Sequence, residues 1–197
     1  MYDIVFPRGN EEELVLTAAR LGYSGLCLVY DSSHELAKSR EKLKQDKIKL
    51  FFGVRKRDRE SAGAVVFSKA SGKSRSTIER KEADVVYDFE NNLRGDYLHH
   101  RASGLNQVLC KLAEKNGIAI GFSLSSIICS GKKSVLLGRI RQNIRLCRKY
   151  KVKMVIGSFC SNAYGMRAVH DVASLFCLLG MHPSEAKKAL NNIAEIR

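Results

Sequence analysis

No Cys-x-x-Cys pair, no His-x-His, no His-Glu-x-x-His and no Gly-x-Gly-x-x-Gly occurs in the 197 residues. The first three absences remove the usual spacings of a zinc site or a redox dithiol. The last removes the phosphate-binding turn of a dinucleotide-binding sheet. Gly-x-Ser-x-Gly is missing too, so no nucleophile elbow is present. Ser71-Gly72-Lys73-Ser74 has the ending of a P-loop, but Phe67 occupies the place of its first glycine, and the motif fails. No apolar run approaches the ~20 residues that span a bilayer. The first eight residues enter a strand-like segment directly, without a signal-peptide pattern, and the expected location is the cytoplasm.

Carboxylates are the other scarcity. Asp and Glu total 20 against 34 Lys and Arg, a net charge of +14 and a pI near 9.7. None lies between Glu114 and Asp171, while those 56 residues carry eleven bases. Such a stretch repels itself unless an anion offsets it, and charge of this size points to a polyanionic partner. Further bases cluster at Lys69, Lys73, Arg75, Arg80 and Lys81, and at Arg55-Lys56-Arg57. A solvated basic face is the plain alternative for any one helix; the length of the acid-free stretch argues against it. A membrane surface fits less well, because the basic helix lacks exposed large apolar residues.

What is present is ordinary globular material, 45% hydrophobic, of a length suited to one domain spanning 1–197. Seven apolar runs of strand length recur: Tyr2–Phe6, Gly25–Tyr30, Ile48–Val54, Gly63–Phe67, Ala83–Phe89, Ile118–Leu124 and Lys153–Phe159. Most are near-continuous, as strands buried on both faces should be. Helical spacing appears in Glu11–Leu21 (Leu14, Ala18, Leu21, with Asn10 as N-cap) and in Leu105–Asn116 (Leu105, Val108, Leu109, Leu112). It recurs in Val135–Tyr150 (Leu136, Ile140, Ile144, Cys147), in Ala168–Leu179 and in Ser184–Ile196 after Pro183. Alternating strand and helix predicts a parallel sheet with right-handed crossovers. Helix is thin between the third and fourth strands, which points to an irregular barrel of seven strands.

A barrel places its functional groups at the C-terminal ends of its strands. Only Asp31, Asp88, Glu90 and Asp96 supply carboxylates there. Asp3, on the first strand, reads as a buried carboxylate bonded to backbone amides. His99-His100 reads as a loop pair contacting phosphate or capping a helix. The six cysteines, 27, 110, 129, 147, 160 and 177, read as small buried hydrophobes in a reducing compartment. No helix-turn-helix, zinc finger or basic zipper appears, so a rigid cationic scaffold points to RNA shape and backbone, with Tyr97 and Tyr164 as stacking candidates. The predicted RNA-binding residues are Arg8, Lys69, Lys73, Arg75, Arg94, Arg101, Lys132, Lys133 and Arg139, with Arg141, Arg145 and Arg148 as an outer ridge. Arg167 is divided between RNA and its own helix start or Asp171. The alternative is a stand-alone metal-dependent barrel phosphoesterase whose basic loops grip substrate phosphates.

Specific strings sharpen the choice. Asp3-Ile4-Val5-Phe6-Pro7 opens the chain, and Ser103-Gly104-Leu105-Asn106-Gln107-Val108-Leu109 leads through a helix to Asn116-Gly117-Ile118-Ala119-Ile120-Gly121-Phe122-Ser123. Gly157-Ser158, Met166-Arg167-Ala168-Val169-His170-Asp171-Val172 and Leu179-Gly180-Met181 follow. With them the chain resembles, along its whole length, the protein component 3 family of archaeal ribonuclease P, counterpart of the eukaryotic 30-kDa subunit. The resemblance implies a single-domain α/β fold, an irregular seven-stranded TIM-like barrel akin to the polymerase-and-histidinol-phosphatase fold. That enzyme fold carries His-x-His at the end of its first strand; Val5-Phe6-Pro7 stands here, so no metal, cofactor or catalytic residue is expected. The resemblance further implies a subunit of an endoribonuclease whose catalyst is RNA and which removes the 5′ leader from precursor tRNA. Its expected partners are the ribonuclease P RNA, precursor tRNA indirectly, and a small ferredoxin-like protein subunit, with no membrane. Val169 departs from the family, where proline is common, and the cysteines are more numerous than the family suggests.

Overall fold

The apolar runs become seven strands in the computed structural model, which describes residues 1–43, 48–56, 61, 63–92 and 94–196. They are β1 (Tyr2–Val5), β2 (Gly25–Tyr30), β3 (Lys49–Val54), β4 (Val65–Lys69), β5 (Val85–Tyr87), β6 (Ala119–Ser123) and β7 (Met154–Gly157). All neighbours run parallel in sequential order. Eight helices accompany them among the described residues: α1 (Glu11–Arg20), α2 (Ser33–Lys42), α3 (Ser74–Glu79), α4 (Gln107–Asn116), α5 (Leu124–Cys129), α6 (Lys133–Lys149), α7 (Val169–Leu178) and α8 (Pro183–Asn191). Between β3 and β4 the described residues contain no helix, in line with the thin crossover expected there.

The sheet nearly closes on itself. Between β1 and the segment that follows β7 there is a single parallel bridge, Val5 to Cys160, with the Phe6 N–H donating to the Cys160 carbonyl at 2.8 Å and the Phe159 N–H to the Ile4 carbonyl at 2.7 Å. Asp3 completes this seam on the outward face of β1, in register with Leu26. Its Oδ1 accepts from the Ile4 N–H at 2.8 Å and the Ser158 N–H at 2.6 Å, and its Oδ2 accepts from the Ser158 hydroxyl at 2.6 Å. Burial pushes the Asp3 carboxyl up to about 6, opposed by these three hydrogen bonds. The buried carboxylate read from the sequence thus acts as the clasp where the backbone ladder runs out.

Two apolar cores result. One fills the barrel with Ile4, Cys27, Val29, Val65, Phe67, Val85, Tyr87, Ala119, Val155 and Phe159. The other lies between strands and helices and takes the outward residues of the same strands, such as Val5, Leu26, Leu28 and Ile120. Each strand is apolar on both faces because each face meets a core. At the N-terminal end, Ile193 and Ile196 close the barrel floor. The last helix, expected to run to Ile196, therefore breaks after Asn191 into a 3-10 turn at Asn192–Glu195, where Asn192 donates to the Met154 carbonyl at 2.7 Å.

Several local expectations are corrected. Asn10 sits at the start of α1 but does not cap it; its amide accepts from the Arg8 N–H and donates to the Ser161 carbonyl, tying two loops together. Val108 is half exposed, and Cys110 and Ala113 take its place on the buried face of α4. Cys27, Cys110, Cys147 and Cys160 are buried, and burial pushes the Cys160 thiol up to about 12, as suits an inert hydrophobe. Cys129, read as buried, is exposed at the end of α5, and Cys177 is intermediate.

Candidate nucleic-acid interface

The C-terminal mouth of the barrel is filled with rings. Phe6 follows β1 where a metal-binding fold carries histidines, and packs 5.8 Å from both Tyr87 and Phe159, which stack on each other at 5.0 Å. The Arg55 guanidinium lies over the Phe6 ring at 4.4 Å and pairs with Asp31 at 2.8 Å. Asp88 and Phe159 hold left-handed φ values of 65° and 49°, costly for side-chain-bearing residues. Asp88 is fixed there by the Ser126 hydroxyl at 2.6 Å and by Lys69 at 3.5 Å. Among the described residues, no three metal-ligating side chains group together.

Beside the mouth lies a cavity of about 790 Å³, between the β5–α4 loop and the start of α6. Glu90, Arg94, Asp96, Ser130, Lys132 and Arg139 line it, and Ser125 and Ser126 are shared with the mouth, so the two form one continuous trough. The loop wall is built on α6. Arg139, expected to contact RNA, is instead buried. Its Nε donates to Asp96 Oδ1 at 2.7 Å, its Nη1 to the carbonyls of Glu90 and Asn92 at 3.1 and 3.0 Å, and its Nη2 to the carbonyl of Arg94. Four of its five N–H donors are taken by the loop, so Arg139 anchors it.

The rest of the loop is fastened in the same way. Gln142 on α6 accepts from the Arg101 N–H and donates to the Arg101 carbonyl and the Ser103 hydroxyl. Gly138, also on α6, leaves room for the Arg101 guanidinium, which occupies the place of a Cβ. Arg101 pairs with Asp96 Oδ2 at 3.3 Å. Burial raises the Asp96 carboxyl, but the Arg139 hydrogen bond, the Ala102 N–H and the two guanidinium charges outweigh it and hold it below the usual carboxylate range. Gly104 ends the loop at φ +79°, against the Phe89 carbonyl, which is why the Ser-Gly-Leu-Asn entry requires glycine.

Glu90 is the unusual group. Its Oε2 accepts from Asn143 at 3.3 Å, its Oε1 has no partner among the described residues, and burial pushes the carboxyl up to about 8. In the unfolded chain it titrates near 4.5, so the folded state keeps a proton that the unfolded state has lost. Stability from this group is full below about 4.5, falls as pH rises to about 8 and is level above. Glu90→Gln should therefore unfold at a clearly higher temperature than the parent at about pH 9, and at nearly the same temperature near pH 5. Thermal melts at both values check this; identical differences at the two would remove buried charge as the cause.

The remaining predicted cations divide by partner. Arg75 pairs with Glu79 along α3 at 2.8 Å, and Arg148 is held by Glu185 at 2.5 Å and the Gly180 carbonyl at 2.6 Å. Lys69 and Arg101 are paired as described. Arg8, Lys73, Arg94, Lys132, Lys133, Arg141 and Arg145 are exposed with no side-chain partner among the described residues. The structure brings Arg94 and Lys132 to one trough, with Arg8 at its mouth end and Lys133 beside Lys132; it sets Arg141 and Arg145 on the outer ridge. Lys73 stands alone at the start of α3. Arg167 donates to the carbonyls of Tyr164 and Met166, at its own helix start. Arg57, of the third basic cluster, lies outside the described residues.

Sequence reading missed the clamp itself. In the sequence Asp96 reads only as a strand-end carboxylate, although it is the lone acid between Glu90 and Glu114 among several cations. Gln142 and Ser126 gave no signal, because their partners are far away in the chain.

Residues 73–196 match the family model described as RNase P subunit p30. The chain is 30% identical over 199 residues to ribonuclease P protein component 3 of Methanothermobacter thermautotrophicus, covering 91% of this chain and 79% of that protein. The same protein of Methanococcoides burtonii is 29% identical over 199 residues, covering 93% and 79%. Among solved structures, a chain in the cryo-EM structure of archaeal ribonuclease P with mature tRNA superimposes with a TM-score of 0.79 at 19% identity, covering 100% of this chain and 89% of that one. A crystal structure of an amidohydrolase gives 0.66 at 9% identity, covering 100% and 73%. At these identities the two structures establish the fold.

Proposed function

This chain belongs to the ribonuclease P subunit p30 family, and from that premise we propose that it binds and supports the ribonuclease P RNA without an active site of its own. In this reading the RNA is the catalyst, an endoribonuclease that removes the 5′ leader of precursor tRNA in the cytoplasm. The substrate is reached indirectly, through the RNA, and a small ferredoxin-like protein subunit completes the immediate assembly. One observation carries the RNA-binding role: Arg94 and Lys132, exposed and without carboxylate partners among the described residues, line one trough, and Lys133 follows at the start of the helix that also carries Arg141 and Arg145. Phosphates supply the missing counter-charge there, and their neutralisation releases counterions. Hydrogen bonds from Arg139 and Gln142 tie the loop that carries Arg94 to α6, which lowers the ordering entropy that opposes binding there. The paired cations, Lys69, Arg75, Arg101 and Arg148, then serve chiefly to hold the protein's own loops and helices.

The test is cleavage of precursor tRNA reconstituted from the RNA and its protein subunits, with and without this chain, at limiting magnesium. Omission should slow cleavage and raise the magnesium requirement, because a basic subunit and magnesium neutralise the same phosphates. Equal rates at every magnesium concentration would overturn the proposal.

A further inference from the structure

The β5–α4 loop carries an exposed apolar tip that neither core nor clamp uses. Tyr97 is 58% exposed and Leu98 91% exposed. Tyr97 is already half of a π surface, stacked on the His100 imidazole at 4.5 Å with the planes 17° apart, while its N–H donates to the His100 carbonyl at 2.9 Å. This tip is not a loose excursion. Asp96, its immediate neighbour, is bonded to Arg139, Arg101 and the Ala102 N–H, and Asn92 donates to the Phe89 and Ala102 carbonyls at 3.1 and 2.7 Å. A large aromatic held rigidly in solvent has its ordering cost already met, which favours a ligand that covers it.

The surroundings specify that ligand. Arg94 and Arg101 flank the tip along the chain, and Arg94 and Lys132 line the same trough as Asp96. Asp96, the only carboxylate of the loop beyond Glu90, is neutralised by two guanidinium groups, so an anion meets no repulsion. A ligand that needs both a flat apolar face and cations beside it is a nucleotide whose base is free to stack. Bases in a duplex are stacked already and present only edges and phosphates.

We propose that the Tyr97–His100 pair is a stacking platform for an unpaired RNA base, whose adjoining phosphates lie on Arg94 and Lys132. This rests on the RNA-binding reading above and adds to it a single-stranded element. Stacking is sequence-tolerant and leaves the number of phosphate contacts unchanged, so its loss has a signature different from loss of a lysine.

The test uses the full chain with two fluorescein-labelled probes, a single-stranded 12-nucleotide RNA and a 12-base-pair RNA duplex, titrated at several salt concentrations. Tyr97→Ala should weaken the single strand about 5- to 100-fold and leave its salt slope unchanged. The duplex should lose less than twofold, and Tyr97→Phe should restore single-strand binding. Thermal melts confirm that both variants fold, as an exposed side chain predicts. Equal affinity of Tyr97→Ala and parent for the single strand overturns the platform alone. So does equal weakening of both probes, or loss only of protein-subunit capture, which would make the tip a protein contact. Failure of the parent to bind either probe overturns the RNA-binding reading, and the platform with it.

Discussion

Arg139→Ala is expected to cost about 3 kcal/mol of folding stability, because three loop carbonyls and one carboxylate lose a charge-assisted donor at once. For a chain of this size that is a fall of about 10 °C in Tm. The damage should be local first. Amides of the β5–α4 loop, above all the Ala102 N–H bonded to Asp96, should exchange faster with solvent, while those of β6 and β7 keep their protection. Arg139→Lys should recover little, since one ammonium cannot reproduce a fork that meets four acceptors in different directions. RNA affinity should fall too, but as a consequence of losing the wall that holds Arg94. An unchanged Tm and unchanged exchange, with a flatter salt slope for RNA, would return Arg139 to the role of a phosphate ligand.

Lys132→Glu with Lys133→Glu should show the opposite pattern. Both side chains are exposed at the start of α6 and have no partner among the described residues, so removing them leaves nothing buried unsatisfied. Carboxylates in the first turn of a helix are favoured by its dipole, and no acid occupies that turn in the parent, so Tm should hold or rise slightly. Affinity for the ribonuclease P RNA should fall on the order of a hundredfold at low salt, and the dependence of log K on log salt should flatten by about two contacts. Titration of the RNA at a series of salt concentrations reads both quantities. A weakened complex with the parental slope would place the RNA elsewhere on the surface. Taken together, the two variants separate cations that hold the protein from cations that hold its partner.

Much of the barrel was readable in the sequence because its signals are local. A strand buried on both faces is a short unbroken apolar run, and all seven stand out; the helix of Leu136, Ile140, Ile144 and Cys147 shows its stripe at 3.6-residue spacing. Helix α2 shows no apolar stripe because Leu36 is its only large apolar residue, although Ser32 with Glu35 three positions on is a capping pattern, and the Ser32 hydroxyl does accept from the Glu35 N–H. Helix α5 shows no periodicity of its own, and its first residue, Leu124, continues the apolar run Ile118–Leu124; the Ser123 cap is what divides strand from helix.

The interface was legible only as a density of charge. Composition and the acid-free stretch determined that the chain is cationic on a large scale and that its partner is a polyanion. They could not say which cations are available, because that depends on carboxylates and carbonyls remote along the chain. Arg139 meets Asp96 across 43 residues and Arg148 meets Glu185 across 37. Periodicity and composition are properties of neighbours in sequence, and they carry the strands, the helices and the sign of the field. Pairing is a property of neighbours in space, within ~4 Å, and so only the tertiary structure could divide one row of bases into those that clamp a loop and those left facing a phosphate.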